Sequence, residues 1–177
     1  MKKLSMDELD RKSIDEFKRS EKFPVVVVLE NIRSMHNVGS VFRTADAFLI
    51  NAIYVCGYTA QPPRKEIDKT ALGATETVDW KYFSTSKEAI EELRKNEYKI
   101  FAIEQVDKSI PLEKFNELNS KVAFVFGNEV SGVESETIAL CDGCIEIPQF
   151  GMKHSLNISV AAGIVLWEFV RARIYVD

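Results

Sequence analysis

The chain has 177 residues and a formal net charge of −4, from 23 Lys and Arg against 27 Asp and Glu; that is enough for one domain with a sizeable core and short for two. An acidic balance excludes a protein that coats nucleic acid non-specifically, because Lys and Arg neutralising phosphate supply most of such binding, although a local basic patch stays open. No stretch approaches the roughly 20 consecutive apolar residues of a membrane span, and Cys56, Cys141 and Cys144 are too few and too uneven for a disulfide framework, so an unprocessed, soluble protein of the reducing cytoplasm is expected.

In chain order, Ser5 with Glu8 three residues on predicts a capped amphipathic helix inside an N-terminal extension of about residues 1–23, with Leu9, Ile14 and Phe17 as its apolar stripe. The β-branched run from Pro24 to Leu29 is apolar on both faces and suits a buried strand of a parallel sheet. Shorter apolar runs at 52–56, 100–103, 122–126 and 145–147 read as further strands, and helical patterns fall at 38–48, 86–95, 134–140 and 156–173. Strands alternating with helices indicate an α/β fold with a mostly parallel sheet. The stretch from Gly57 to Asp68, with Pro62-Pro63 in its middle, reads as a loop or lid.

Three segments carry chemistry. In Asn31 to Phe48 a strand ends and a polar turn leads into a helix, where open α/β sheets place their ligands. Asn37 is a candidate cap, Gly39 a point of close approach to a ligand, and Arg43 either a functional cation or a snorkelling side chain. In Phe126 to Val133, Gly127 and Gly132 bracket Glu129 in a turn whose spacing is not that of a phosphate-cradling loop, and a plain strand-to-helix turn is the competing reading. In Ile145 to Ser159, Pro148 frees the end of a strand, and Ser155, Asn157 and Ser159 put more hydrogen-bonding side chains at a helix start than capping requires.

Other features read as structural. Cys141 and Cys144 have the spacing of half a zinc site without a second pair of ligands. His36 and His154 suit contact with phosphate or solvent better than proton transfer. Trp80 and Trp167 lack the glycine-aromatic surroundings of a base-stacking platform and are assigned to core or interface.

Taken together, Asn37-x-Gly39-x-x-x-Arg43, Gly127-Asn128-Glu129-x-x-Gly132, and Ile147-Pro148 followed by Ser155-Leu156-Asn157 resemble, in order and spacing, the three motifs of the SpoU (TrmH-like) family of RNA ribose 2′-O-methyltransferases. The resemblance covers about residues 24–173, and Thr70 to Thr77 is also similar to members that modify ribosomal or transfer RNA. It implies a SPOUT α/β fold closed by a C-terminal deep trefoil knot, which strand patterns alone never suggest. It also implies S-adenosylmethionine as cofactor, no metal, an RNA substrate, and a homodimer with each active site at the subunit interface. Val160, Ile164, Trp167 and Val170 suit such an interface, with burial in the core as the equal alternative.

By the same resemblance, Gly127, Gly132, Ile147 and Leu156 hold the cofactor, and Arg43, Asn37, Glu129, Ser155 and Asn157 form the catalytic set. Arg43 has a stated role as general base in the family, yet a guanidinium is effectively always charged. Holding substrate phosphate and stabilising a developing alkoxide is the role its chemistry supports. Asn37 would orient Arg43 or the ribose, and Ser155 and Asn157 would fix the turn of the third motif. Arg33, His36, Arg64, Lys65 and Lys153 are the expected RNA contacts, with no separate RNA-binding domain to assist them. Tyr98 to Pro111 and Glu146 to Gln149 resemble the branch that methylates a D-loop guanosine of transfer RNA. Ribosomal RNA is the second expectation. A catalytically silent RNA-binding dimer is the third, disfavoured because all five catalytic positions are intact.

Overall fold

The backbone alternates between two cores. In a computed structural model that describes residues 1–5, 7–9 and 11–175, Val25, Val27 and Leu29 of strand β1 (Phe23–Glu30) face one apolar cluster while Val26 and Val28 face the other. Burial on both faces is why this strand reads as a continuous apolar run. The remaining strands are β2 (Ile50–Cys56), β3 (Asp79–Phe83), β4 (Lys99–Ile103), β5 (Ile110–Pro111), β6 (Val122–Phe126) and β7 (Gly143–Glu146). They form one sheet in the order β3-β2-β1-β6-β4-β7-β5, with every neighbouring pair parallel.

Helix α2 (Met35–Ala47) and helix α7 (Ile158–Ile174) cover one face, packed against each other, and Phe17 of α1 (Ile14–Arg19) joins that core. Helix α5 (Ser86–Lys95) covers the other face through Ala89, Ile90 and Leu93, joined there by Ile138 of the short helix α6 (Ser135–Ile138). From β1 the chain runs outward through β2 to β3 on one side, and from β6, the neighbour of β1, it runs across β4 to β7 on the other. The carboxyl ends of these inner strands therefore open onto a crevice at a topological switch point. No described helix is long and apolar enough to cross a membrane.

Several expectations change. Ser5 and Glu8 enclose only a single 3₁₀ turn (Asp7–Leu9), and the capping box belongs to Ser13 and Glu16 at the start of α1. Of the expected stripe, Phe17 is buried while Leu9 and Ile14 stay exposed; Met6 and Asp10, within the expected helix, lie outside the described residues. The predicted loop ends at Arg64, because α3 (Lys65–Ala71) begins there and α4 (Ala74–Thr77) follows. These helices bury little beyond Ile67, Ala71 and Ala74, too short a stripe to show as periodicity. Strands β3 and β5 were not expected either. They are the two edges of the sheet, and β3 has no fully buried residue and hence no apolar run.

Candidate active site

Helix α2 starts where β1 ends, and its first turn is held from across the crevice. Ser34, not Asn37, is its N-cap: the Ser34 hydroxyl accepts from the Asn37 backbone N–H at 3.3 Å. Asn37 is thus inside the helix with its amide free for tertiary work. The Glu129 carboxylate accepts from the N–H groups of Arg33 (3.0 Å) and Ser34 (3.1 Å) and from the Asn37 side-chain amide (3.0 Å). A carboxylate at a helix N-terminus also meets the positive end of the helix dipole. Burial pushes the Glu129 pKa up, but the N–H groups of Arg33, of Glu129 itself and of Ser34, with the Asn37 amide, outweigh it and hold the carboxyl below its ordinary value.

The same amide reaches the third segment. Asn37 Oδ1 accepts from Asn157 Nδ2 at 3.2 Å, and Asn157 caps α7 by accepting from the Ser159 N–H (2.9 Å) and hydroxyl (2.7 Å). Glu129, Asn37 and Asn157 therefore form one hydrogen-bonded chain through all three chemistry-bearing segments. Nothing in their separation of about 30 to 120 residues makes this meeting a local effect; the sheet order brings it about.

The turn that carries Glu129 has little conformational choice. Asn128 and Gly132 exchange two backbone hydrogen bonds of 2.9 Å, and Gly132 sits at φ +71°. A Cβ on Gly127 would lie 2.1 to 2.2 Å from the backbone of Gly132 and Val133, and one on Gly132 would lie 2.1 Å from Glu104 Oε2. Gly39, by contrast, does not approach a ligand. A Cβ there would meet Ile67 O and Thr70 Oγ1 of α3 at 2.2 Å, so its role is the close packing of α2 on α3.

Beyond the carboxyl ends of β4, β6 and β7 lies a cleft of about 420 Å³, within the roughly 300–1,000 Å³ of small-molecule sites. Gly127, Glu129, Gly132, Ile147, Ser155 and Leu156 all line it. Asn37 and Asn157 do not line it; the hydrogen-bonded chain joins them to Glu129, which does. Arg43 does not line it: the side chain is exposed on α2, six residues past Asn37, or about 9 Å of helical rise. Arg33, His36, Arg64, Lys65 and Lys153 are all exposed. Lys65 opens α3, and Thr70 of that helix donates its hydroxyl to the His36 carbonyl at 3.0 Å.

Some organising residues are absent from the expectation. Asn128 Oδ1 accepts from the Val130 and Ser131 N–H groups (2.8 and 3.1 Å), while its Nδ2 donates to Asn31 O and Tyr58 Oη, both at 2.8 Å. An asparagine between turn glycines is the local signal for such a role. Glu104, just past β4, accepts from the Val133 N–H at 3.0 Å, and Gln105 donates to the His154 carbonyl at 3.1 Å. Glu30, only 1% exposed, accepts from the Glu134 N–H at 2.8 Å and from the Thr137 hydroxyl. Cys141 donates its thiol to the Thr137 carbonyl at 3.3 Å, and burial pushes its pKa up to about 12, as befits a structural thiol.

The profile of the SpoU rRNA Methylase family matches residues 24–167. The chain is 34% identical over 152 residues to the 23S rRNA (guanosine-2'-O-)-methyltransferase RlmB of Neisseria meningitidis, covering 85% of this chain and 60% of that protein. It is 31% identical over 169 residues to the tRNA (guanosine(18)-2'-O)-methyltransferase of Thermus thermophilus, covering 94% and 84%. Among solved structures, the A. aeolicus TrmH/SpoU tRNA modifying enzyme superposes with a TM-score of 0.81 at 25% identity, over 91% of this chain and 81% of that one. An AdoMet-bound rRNA methyltransferase from Sinorhizobium meliloti gives 0.79 at 25% identity, over 94% and 62%. The chain belongs to the SpoU rRNA Methylase family, and its parallel α/β sheet flanked by helices is the fold of that family's methyltransferases.

Proposed function

We propose that the chain transfers the methyl group of S-adenosylmethionine to the 2′-hydroxyl of a guanosine in structured RNA, with transfer RNA as the first reading and ribosomal RNA as the second. The observation that carries this is the Glu129–Asn37–Asn157 chain, which fixes all three motif segments around one cleft. Relatives named for transfer RNA and for ribosomal RNA share one target nucleoside, guanosine. The resemblance of residues 98–111 and 146–149 to the transfer-RNA branch supports the first reading.

The cleft fits the cofactor in kind. Gly127 and Gly132 present bare backbone, Ile147 and Leu156 offer an apolar wall for a ring system, and Glu104 and Glu129 supply acidic groups for a cationic amino-acid moiety. When bound, S-adenosylmethionine supplies a methyl already activated by its sulfonium. The protein must then align a very weakly acidic hydroxyl for in-line attack and help it lose a proton. Glu129, Asn37 and Asn157 hold the loops rigid for that alignment, and Ser155 presents its hydroxyl at the cleft rim. Arg43 holds substrate phosphate and stabilises the developing alkoxide.

Because Arg43 stands off the cleft of its own protomer, the proposal includes a homodimer in which the partner subunit's Arg43 completes each site. Helix α7 supports it. Val160, Ile164 and Trp167, spaced i, i+4 and i+7, are 51%, 38% and 47% exposed, and the Trp167 ring packs 5.8 Å from Phe48 at the end of α2. Val170 does not join this stripe: it is 3% exposed and faces the core, three residues and so about 60° round the helix from Trp167. The proposal extends to a trefoil knot formed by residues 147–157, one SpoU-type domain preceded by a short extension, RNA contacts from Arg33, His36, Arg64, Lys65 and Lys153, and work in a reducing cytoplasm. The Gln105–His154 bond, which ties the loop after β4 to the loop after β7, supports the knot. Labelled S-adenosylmethionine, purified protein and separate pools of transfer and ribosomal RNA test the reaction. Digestion to nucleosides should yield 2′-O-methylguanosine from the transfer RNA; label in a base, or in neither pool, contradicts the proposal.

A further inference from the structure

Beside the cofactor cleft, and sharing part of its lining in the loop after β7, lies a smaller cavity of about 260 Å³. Glu146, Gln149, Phe150, Lys153 and His154 line it together with Gln105. Among the described residues nothing hydrogen-bonds to the side chains of Glu146 or Gln149, although both are half-buried. Both side chains still reach the cavity surface, so their polar atoms are available to a ligand seated there. Phe150 stands at the rim and is 96% exposed, a poor position for an apolar side chain with no partner and a good one for stacking against an unpaired base. The Gln105 amide is spent on the His154 carbonyl, which braces the cavity wall.

Resting on the methyl-transfer reading above, we infer that this smaller cavity seats the target nucleobase and that Glu146 selects guanine. Guanine carries two adjacent donors, N1–H and the N2 amine, and an acidic side chain is the acceptor that meets both at once. On the adjoining edge of the base, O6 and N7 are acceptors, and Lys153 and the Gln149 amide are the donors available to them. Adenine, cytosine and uracil each lack the paired donors and would leave one carboxylate oxygen unserved. Recognition by paired hydrogen bonds rejects an analogue lacking one of them far better than an apolar pocket does. The ribose of a base seated here lies beside the cleft, because Gln105, Glu146, Ile147, Gln149 and His154 line both spaces.

Since Glu146 borders the cofactor cleft as well, the experiment separates the two duties. An RNA carrying guanosine at the methylated position is compared with the same RNA carrying inosine, which keeps N1–H and lacks the N2 amine. Methyl transfer is measured for the unaltered protein and for Glu146→Gln, and S-adenosylmethionine affinity is measured for both by calorimetry. The unaltered protein should prefer guanosine by about tenfold or more. Glu146→Gln should transfer more slowly to guanosine, lose that preference, and bind S-adenosylmethionine as before. An unchanged guanosine-to-inosine ratio in the variant overturns the inference while leaving the methyl-transfer reading intact. A loss of cofactor affinity would assign the carboxylate to the cofactor and likewise overturn it. If the unaltered protein methylates neither RNA, both readings fall together.

Discussion

Arg43 and Glu129 carry opposite charges and opposite kinds of duty. Glu129 is committed within the fold, accepting from two backbone N–H groups and the Asn37 amide, whereas Arg43 is exposed on α2. Arg43→Lys should keep S-adenosylmethionine affinity and slow methyl transfer by about 10²–10³, the usual scale for losing one electrostatic contact in the transition state. An ammonium keeps the charge but not the planar fork that grips phosphate. Single-turnover transfer beside calorimetry checks this, and an active Arg43→Lys variant would remove Arg43 from the chemistry. Glu129 has its pKa lowered on folding, so its contribution to stability is complete above the ordinary glutamate value of roughly 4.3 and fades as pH falls through the folded value. Urea unfolding of the unaltered protein and of Glu129→Gln should therefore show a stability gap near pH 7 that narrows below about pH 4. A gap of constant size across that range would mean that the carboxylate's charge does not hold the first turn of α2.

The turn from Gly127 to Gly132 is the element on which the cleft depends, because its backbone is packed closely against itself and against Glu104. Gly127→Ala forces a Cβ to within about 2.2 Å of backbone that has no room to retreat. The variant should keep its helix content by circular dichroism and lose most of its affinity for S-adenosylmethionine; normal affinity would show that the turn does not form the cofactor's wall. Elements with two buried faces or a clear amphipathic stripe were legible in the sequence. The run in β1 and the Ser86–Lys95 span of α5 are examples, the latter opened by a Thr85 cap that accepts from the Glu88 N–H. Edge strands β3 and β5 and the short helices α3 and α4 were not, because a few buried side chains on a short element leave no periodic trace. The glycines and polar residues of the three motifs were visible too. The packing of Gly39 on α3, the Asn128 bonds to Asn31 and Tyr58, and the work of Glu104 were not, since each acts on a neighbour that only the tertiary fold brings near.

Over the whole molecule, α7 turns one apolar side into the core and leaves another in the open. Periodicity could not separate Val170 from Val160, Ile164 and Trp167 because residues 160–167 carry no polar side chain to mark an outer face; only the packing of the helix on α2 shows which side is covered. If that stripe joins two protomers, Trp167→Glu should shift the protein from dimer to monomer in sedimentation and abolish transfer while leaving the fold intact. A dimeric, active Trp167→Glu variant would contradict the shared site. The central claim, that this chain methylates a guanosine ribose in RNA, is tested most directly by mapping 2′-O-methyl positions in the RNA of cells lacking the gene. The account predicts that one guanosine mark, in transfer RNA, disappears and that purified protein with S-adenosylmethionine restores it at the same nucleotide. An unchanged 2′-O-methyl map, or a lost mark that the purified protein fails to restore, would contradict it.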